Sequence, residues 1–418
     1  LEKTLLIMAT LDTKGKEAGY VRDCVRSAGV GTLVMDVGTL GGPLTEADIP
    51  AADVLGAAGL RASGAAFAAL CRSEAVEAMQ KGGIAIARRL LEEGRIDGIF
   101  GLGGGTGTAI AAAVMRSLPF GMPKVIVSTV ASRDVREYVG TKDIVMFHSV
   151  ADLLGSNRFI RRILEQAAGA ICGMLGTAAA MQNPAPIVAV TAYGINSRCA
   201  MNVEPLLEGR GYEMIGFHAN GVGGMAMEEM VGEGLIDAVL DLTPHELADE
   251  MFGGYCRGIG QKRFRAAGEA GVPLLLAPGG LDNAVFSPFY PMPETLKDRR
   301  RHDHDDRFCV RMEREEMIAF ARIIAERLNE SGGPACVLIP SGGFSEADMP
   351  GGELYDPEVD RSFTRELKRL LRVGITLEEM DVHISDPAFA RRAVDIIDGM
   401  VRSGRQTGPR RSETGRQT

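Results

Sequence analysis

Six residues, Gly103-Gly104-Gly105-Thr106-Gly107-Thr108, carry the sharpest chemical signal in the chain. They follow the apolar run Ile96–Leu102 and open onto the alanine-rich stretch Ala109–Met115, so they read as a strand feeding a glycine turn that starts a helix. Without Cβ atoms such a backbone can approach an oxyanion. The N–H groups of a first helical turn then point at that anion, with the positive end of the helix dipole behind them. The chemistry is phosphate binding, and the implied ligand is a nucleotide. The spacing is neither the GxxxxGK(S/T) of a Walker loop nor a GxGxxG with an acidic residue about 20 positions on. A tight turn that only lets a helix pack close to its strand has the same composition.

Several side chains fall beside this turn. Asp12 and Lys14 follow the first apolar run, so both overhang the same strand edge. Lys14 could neutralise a phosphate, and Asp12 could hold a sugar hydroxyl or a hydrated Mg²⁺. Thr106 and Thr108 suit a helix cap, a phosphate contact or both, and Ser128-Thr129 close a further apolar run, Val125–Val127.

The second half has its own set. His218 ends a strand-like run, Gly221, Gly223 and Gly224 follow it, and Glu228 lies on the helix those glycines open. Histidine titrates near neutral pH and suits acid–base work; a hydrogen-bonded structural role is the alternative. After Ala238-Val239-Leu240 come Asp241, Thr243, His245, Glu246, Asp249 and Glu250, with Glu246 and Glu250 spaced to share a helix face. His218, Glu228 and Asp241 are the catalytic candidates. The others are expected to be a helix cap and solvated carboxylates. Arg299–Asp306 mixes imidazole and carboxylate, but alternation places His302 and His304 on one face and Asp303 and Asp305 on the other. That segment is expected to be a solvent-facing loop, and no metal site is assigned.

An internal duplication positions these residues. Leu5-Leu6-Ile7-Met8, Gly29, Gly41 and Gly42 fall without a gap on Ile187-Val188-Ala189-Val190, Gly211, Gly223 and Gly224, a constant offset of 182 residues. Glu93–Asp97 likewise resembles Glu233–Asp237, and between the copies' matched parts the first half has an alanine-rich, helix-like insertion over residues 43–85. Apolar runs alternating with helix-length amphipathic stretches imply βαβ units with mainly parallel sheets. Leu274–Leu276 and Val337–Ile339 are further buried-strand candidates, each followed by a turn of small polar residues. The fold expected is α/β: two Rossmann-like domains, residues 1–183 and 184–400, facing across a cleft, with a disordered tail over 401–418. The Pro-containing segment 182–186 marks the boundary.

Composition narrows the class. The 418 residues are 45% hydrophobic and 24% charged, with a formal net charge of −9, 5% aromatics and no tryptophan. A nucleic-acid surface needs a basic face or stacking platforms, so none is expected. No long uninterrupted apolar run or charged-then-apolar leader is present, which argues for a cytoplasmic protein without a membrane span. Seven scattered cysteines, never paired as CxxC, read as reduced, buried thiols rather than disulfides or zinc ligands.

Together Ala9–Gly15, Gly101–Thr108, Val139–Asp143, Phe217–Glu228 and Tyr355-Asp356-Pro357 resemble an uncharacterised microbial family related to the ATP-binding N-terminal region of the tomato mosaic virus replication inhibitor. The resemblance covers about residues 3–400. It implies two Rossmann-like domains, ATP as cofactor, self-association as a homo-oligomer, and a separate TIM-barrel protein as partner, because a TIM barrel follows in the plant chains. The chain departs from the family pattern at Arg133, at Thr243–Glu246 and at His304–Asp306. Two functions stay open. One is an ATP-dependent enzyme acting on a small acidic metabolite through the cleft; the other is a non-catalytic, nucleotide-responsive subunit docking the TIM-barrel enzyme.

Overall fold

A computed structural model describes residues 3–39, 41–60, 70–155, 157–177, 185–330 and 332–407. The chain divides into two compact units, Leu1–Gln182 and Asn183–Thr418. Residues 182–184 of the proposed boundary lie outside the described residues, as do 408–418 of the proposed tail.

The first unit is built on five parallel strands: β1 (Thr4–Ala9), β2 (Gly31–Asp36), β3 (Gly98–Gly103), β4 (Lys124–Ser128) and β5 (Val145–His148), in the order β2-β1-β3-β4-β5. Every residue of β3 and β4 is buried, and apolar residues run through both without alternation, with buried Lys124 and Ser128 at the two ends of β4. In β1 the two-residue period still decides which layer each side chain enters. Leu5 and Ile7 pack with Val21 and Leu164 of the helices Leu11–Ser27 and Arg158–Thr177. Leu6 and Met8 pack with Met79 and Ile110 of Arg72–Glu92 and Gly105–Arg116. The insertion contributes the helix Ala51–Ala57 and the start of Arg72–Glu92; residues 61–69 lie outside the described residues.

The second unit repeats the plan. β6 (Ile187–Ala192), β7 (Glu213–His218), β8 (Ala238–Asp241) and β9 (Leu274–Leu276) join two strands from later in the chain in one parallel sheet. Between β9 and those two comes a small antiparallel sheet of β10 (Asn283–Phe286), β11 (Arg301–Asp303) and β12 (Phe308–Arg311), in the order β10-β12-β11. β13 (Ala335–Pro340) and β14 (Thr376–Met380) then complete the large sheet, ordered β14-β13-β9-β8-β6-β7. β2 and β7 are related at both ends by the 182-residue offset, 31 to 213 and 36 to 218, so the duplicated sequence is a duplicated βαβ unit.

Three expectations need correction. Arg301–Asp303 is a strand rather than part of a loop, because pairing with β12 lays the Arg301 guanidinium over the Phe308 ring, 3.7 Å from its centroid. The polar residues after Val401 continue the helix Pro387–Thr407. The cysteines are all free, but only Cys199, Cys256, Cys309 and Cys336 are buried; Cys71 is exposed at the start of its helix. No helix among the described residues is long and apolar enough to cross a membrane.

Candidate functional site

In a doubly wound sheet, ligands collect outside the carboxyl ends of the strands, where the strand order reverses. The order β2-β1-β3-β4-β5 reverses between β1 and β3. Thr10–Lys14 leave β1 at this point and Gly103–Thr108 leave β3, so the turn singled out from sequence lies at the reversal itself.

Its glycines do two jobs. A Cβ at Gly103 would lie 2.8 Å from Gly107 Cα, and one at Gly107 would lie 3.2 Å from the Leu102 carbonyl oxygen, so these two let the helix close against the strand. A Cβ at Gly104 would meet only Thr129 Oγ1, at 3.7 Å, and one at Gly105 would meet nothing within 4 Å. Gly104 is the N-cap of the helix Gly105–Arg116 and has no side chain with which to cap the first-turn amides.

The surrounding residues fix this turn. Thr108 Oγ1 shares a 2.7 Å hydrogen bond with Ser128 Oγ and donates to the Gly103 carbonyl, and the Thr129 amide also donates to Gly103, joining β4 to the turn. Arg72 Nη2 donates to Thr106 Oγ1 at 3.1 Å, which brings a guanidinium to the first helical turn. Across the reversal, Asp12 Oδ2 accepts from the Thr39 amide at 3.0 Å. Asp36, which sequence reasoning passed over, accepts from the amides of Leu11 and Gly38 at 3.1 and 2.8 Å. Burial holds the Asp36 carboxyl above the usual range. Lys14, 12% exposed, donates to the Leu153 carbonyl and lies 3.7 Å from Asp152. It therefore ties down the loop after β5.

A groove of about 430 Å³ lies elsewhere, among Tyr20, Cys24, Ala28, Glu165 and Cys172. It reaches Ser27 and Ala28, at the end of the helix Leu11–Ser27 remote from β1, so it is not at the strand reversal.

In the second unit the glycine turn after β7, the counterpart of Gly41 and Gly42, is filled by the chain itself. Glu246 Oε1 accepts from the amides of Gly221 and Gly224, and Asn220 Oδ1 from those of Val222 and Gly223. A Cβ at Gly223 would lie 1.9 Å from the His218 carbonyl oxygen, and one at Gly224 would lie 2.3 Å from Glu246 Oε2. Gly221 has φ +89°, and its Cβ would be 2.2 Å from the Arg257 carbonyl oxygen. Here glycine is demanded by close approach within the chain.

Glu228 and Asp241 join Glu246 around the fully buried Arg263. Asp241 takes both terminal nitrogens, Glu246 Oε2 accepts from Nε at 3.0 Å and Glu228 lies 3.4 Å from Nη1. Glu228 also accepts from the amides of Phe264 and Ala266. Burial pushes the carboxyls of Glu228 and Glu246 upward, and the Arg263 charge opposes it. The expected solvated carboxylates are thus a correction: His245, Glu246 and Asp249 are buried, and of that group Glu250 is exposed.

His218 does reach an opening. A cavity of about 140 Å³ is lined by Tyr193, Ile195, Val285 and Cys309, with His218, His304 and Arg307 also bordering it. The Tyr193 ring stacks on both His218 and His245, with centroids 5.2 and 4.2 Å away. Arg307, paired with Asp305, donates from Nη1 to the Tyr193 hydroxyl at 3.2 Å. Burial and then the Arg307 charge push His218 below the ordinary histidine value, which favours the neutral imidazole at pH 7. Sequence reasoning missed Tyr193, although it directly follows β6, which like β8 borders the second sheet's reversal.

The family described as "Uncharacterised protein family (UPF0261)" matches through its N-terminal domain over residues 3–180 and its C-terminal domain over residues 185–401. The chain belongs to this family. A UPF0261 protein of Clostridium tetani is 37% identical over 397 residues, covering 93% of this chain and 97% of its own. Another, from Rhizobium meliloti, is 37% identical over 395 residues, covering 94% and 98%. The ToMV resistance protein Tm-1(GCR237) of Solanum lycopersicum is 36% identical over 411 residues, covering 93% of this chain and 54% of its own. The chain therefore spans about half the length of the tomato protein.

Proposed function

We propose that this member of the UPF0261 family binds ATP through the Gly103–Thr108 turn, with the phosphates on the amides of Gly105, Thr106 and Gly107. The observation that carries the reading is the open glycine N-cap at the β1/β3 reversal, where Gly104 and Gly105 have no packing duty that explains them. Arg72 and Lys14 supply positive charge, and Asp12 and Asp36 stand on the β1–β2 side, where a ribose hydroxyl or hydrated Mg²⁺ would meet them. The Gly221–Gly224 turn in the second unit takes no part, because Glu246 and Asn220 already accept from its amides.

The second unit offers the place for a small acid. His218, His304 and Arg307 border a cavity of about 140 Å³, and neutral His218 is the proton acceptor there. A non-catalytic reading, in which the nucleotide-loaded protein docks a TIM-barrel protein, is favoured by the tomato relative, about half of which lies outside the matched region. Calorimetric titration of the full chain with ATP, with and without Mg²⁺, tests the shared premise. Saturable binding is expected, and its absence under both conditions overturns both readings. Release of phosphate in the presence of candidate acids separates the enzyme from the docking subunit.

A further inference from the structure

We propose that His245, Asp249 and Cys256 form a buried site for a divalent transition-metal ion, Zn²⁺ being the one their chemistry suits best. A ring nitrogen of His245, an Asp249 carboxylate oxygen and Cys256 Sγ all lie within 4.8 Å of one another, and all three residues are buried. Imidazole, carboxylate and thiolate are the three protein ligand types of zinc, at about 2.0–2.3 Å each, so a shared ion draws such atoms to roughly 3.3–3.8 Å apart. Nδ1 and Asp249 Oδ2 are already 3.3 Å apart.

The local fold aims these atoms at one point. His245 is the N-cap of the helix Glu246–Phe252, and Asp249, four residues on, lies on the same side. Gly253 ends that helix in the left-handed conformation, φ +68°, and the returning chain brings Cys256 back. Gly254 must lack a side chain, since its Cβ would lie 2.0 Å from Asp249 Oδ1.

The second atom of each polar ligand is anchored. His245 Nε2 hydrogen-bonds the Ala219 carbonyl at 2.7 Å, so it carries the proton and leaves the Nδ1 lone pair facing inward. Asp249 Oδ1 accepts from the Val285 amide at 2.8 Å, leaving Oδ2. Nδ1 and Oδ2 are both buried and make no well-aligned hydrogen bond, while the Cys256 amide and thiol approach the Asp249 carboxylate. An imidazole fixed by a backbone carbonyl through its other nitrogen is the usual outer-shell arrangement of a metal-bound histidine. One carboxylate, one thiolate and a dication sum to zero charge, which suits a site set against Tyr193, Val285 and Cys309. Three protein ligands leave a fourth tetrahedral position for water or a ligand atom.

The test is metal content and Co²⁺ spectroscopy on the full chain. Protein purified without chelator should hold about one Zn²⁺ per chain by mass spectrometry. Stripped protein titrated with Co²⁺ should saturate at about one ion, with tetrahedral visible bands and a thiolate-to-cobalt charge-transfer band. Cys256→Ser should remove the charge-transfer band and weaken the metal by more than about 100-fold, the upper end for losing only an outer-shell partner. Cys309→Ser should keep the band. If Cys256→Ser does not fold, X-ray absorption of the wild-type cobalt form decides, with one sulfur and the rest nitrogen or oxygen expected. No stoichiometric metal, or a charge-transfer band surviving Cys256→Ser, would overturn the site and leave a protonated Asp249 donating to His245 as the account of the two orphan atoms.

Discussion

Glu246 Oε1 lies 2.7 Å from the amide nitrogen of Gly221, so the glycine turn after β7 has a carboxylate where a bound anion would otherwise sit. The same side chain reaches Arg263 through its other oxygen. The glycine turns of the two units thus differ: the one after β3 leaves an open helix start at Gly104-Gly105, and the one after β7 closes on an internal ion network.

That network supports the fold, and Arg263→Met tests it. The substitution keeps bulk but leaves Glu228, Asp241 and Glu246 buried around no cation, and breaking a buried ion group from one side costs about 3–5 kcal/mol. The melting temperature should fall by roughly 10 °C at pH 7, by the usual ratio for a unit of this size. Part of the loss should be recovered on acidification, because burial raises the pKa of Glu228 and Glu246 and so lets them take up protons more readily as pH falls. A change of under about 2 °C at pH 7 would show that the carboxylates are satisfied without Arg263.

The glycines of the first turn should separate packing from binding. Gly103→Ala sets a Cβ 2.8 Å from Gly107 Cα, so it should destabilise the protein by about 1–3 kcal/mol. Gly105→Val enters open space, so thermal unfolding should barely move while ATP affinity falls by at least roughly 10-fold through blocked approach to the amides. Unchanged ATP affinity in folded Gly105→Val protein would remove the turn from the site.

Lys14 could, from sequence, neutralise a phosphate, and its contacts with Leu153 and Asp152 add a part in holding the fold. Lys14→Met keeps the stem but loses both the carbonyl contact and the pairing with Asp152. A charge-assisted hydrogen bond is worth about 1.5–3 kcal/mol, so both the melting temperature and ATP affinity should drop, the latter by on the order of 10-fold to 100-fold. Lower stability with unaltered affinity would assign Lys14 to the loop only.

His245 should make the metal-free protein acid-labile. Burial pushes its pKa down to about 4, against an ordinary 6.5, so the unfolded chain takes up a proton first as pH falls. Stability is full above about 6.5 and is lost progressively toward about 4, by at most on the order of 3 kcal/mol. Chemical denaturation of chelator-treated protein at pH 7 and pH 4.5 measures this. His245→Gln, which can still donate to Ala219, should show a shallower loss; an equal loss in both would place the acid sensitivity elsewhere.

Where one physical signal dominated, the sequence was informative. Leu5–Met8 and Ile187–Val190 lie on strands buried from both sides, where apolar runs are unbroken, and the offset joining them carries through to β2 and β7. The Gly103 turn was visible because only glycine fits at Gly103. His245, Asp249 and Cys256 were not recognised as a group, since their meeting depends on the reversal at Gly253 and on β10 presenting the Val285 amide. Arg263 was overlooked for the same reason: a lone arginine beside Lys262 and Arg265 has the pattern of a solvated surface, and only the fold brings three carboxylates to it.

The most direct test of the nucleotide site is a crystal structure of the full chain with a non-hydrolysable ATP analogue and Mg²⁺. The account predicts one nucleotide per chain, its phosphate oxygens within hydrogen-bond distance of the amides of Gly105, Thr106 and Gly107, and the Glu246–Gly221 hydrogen bond intact. A nucleotide held by Gly221–Gly224 with Glu246 displaced, or one bound away from the β1/β3 reversal, would contradict it.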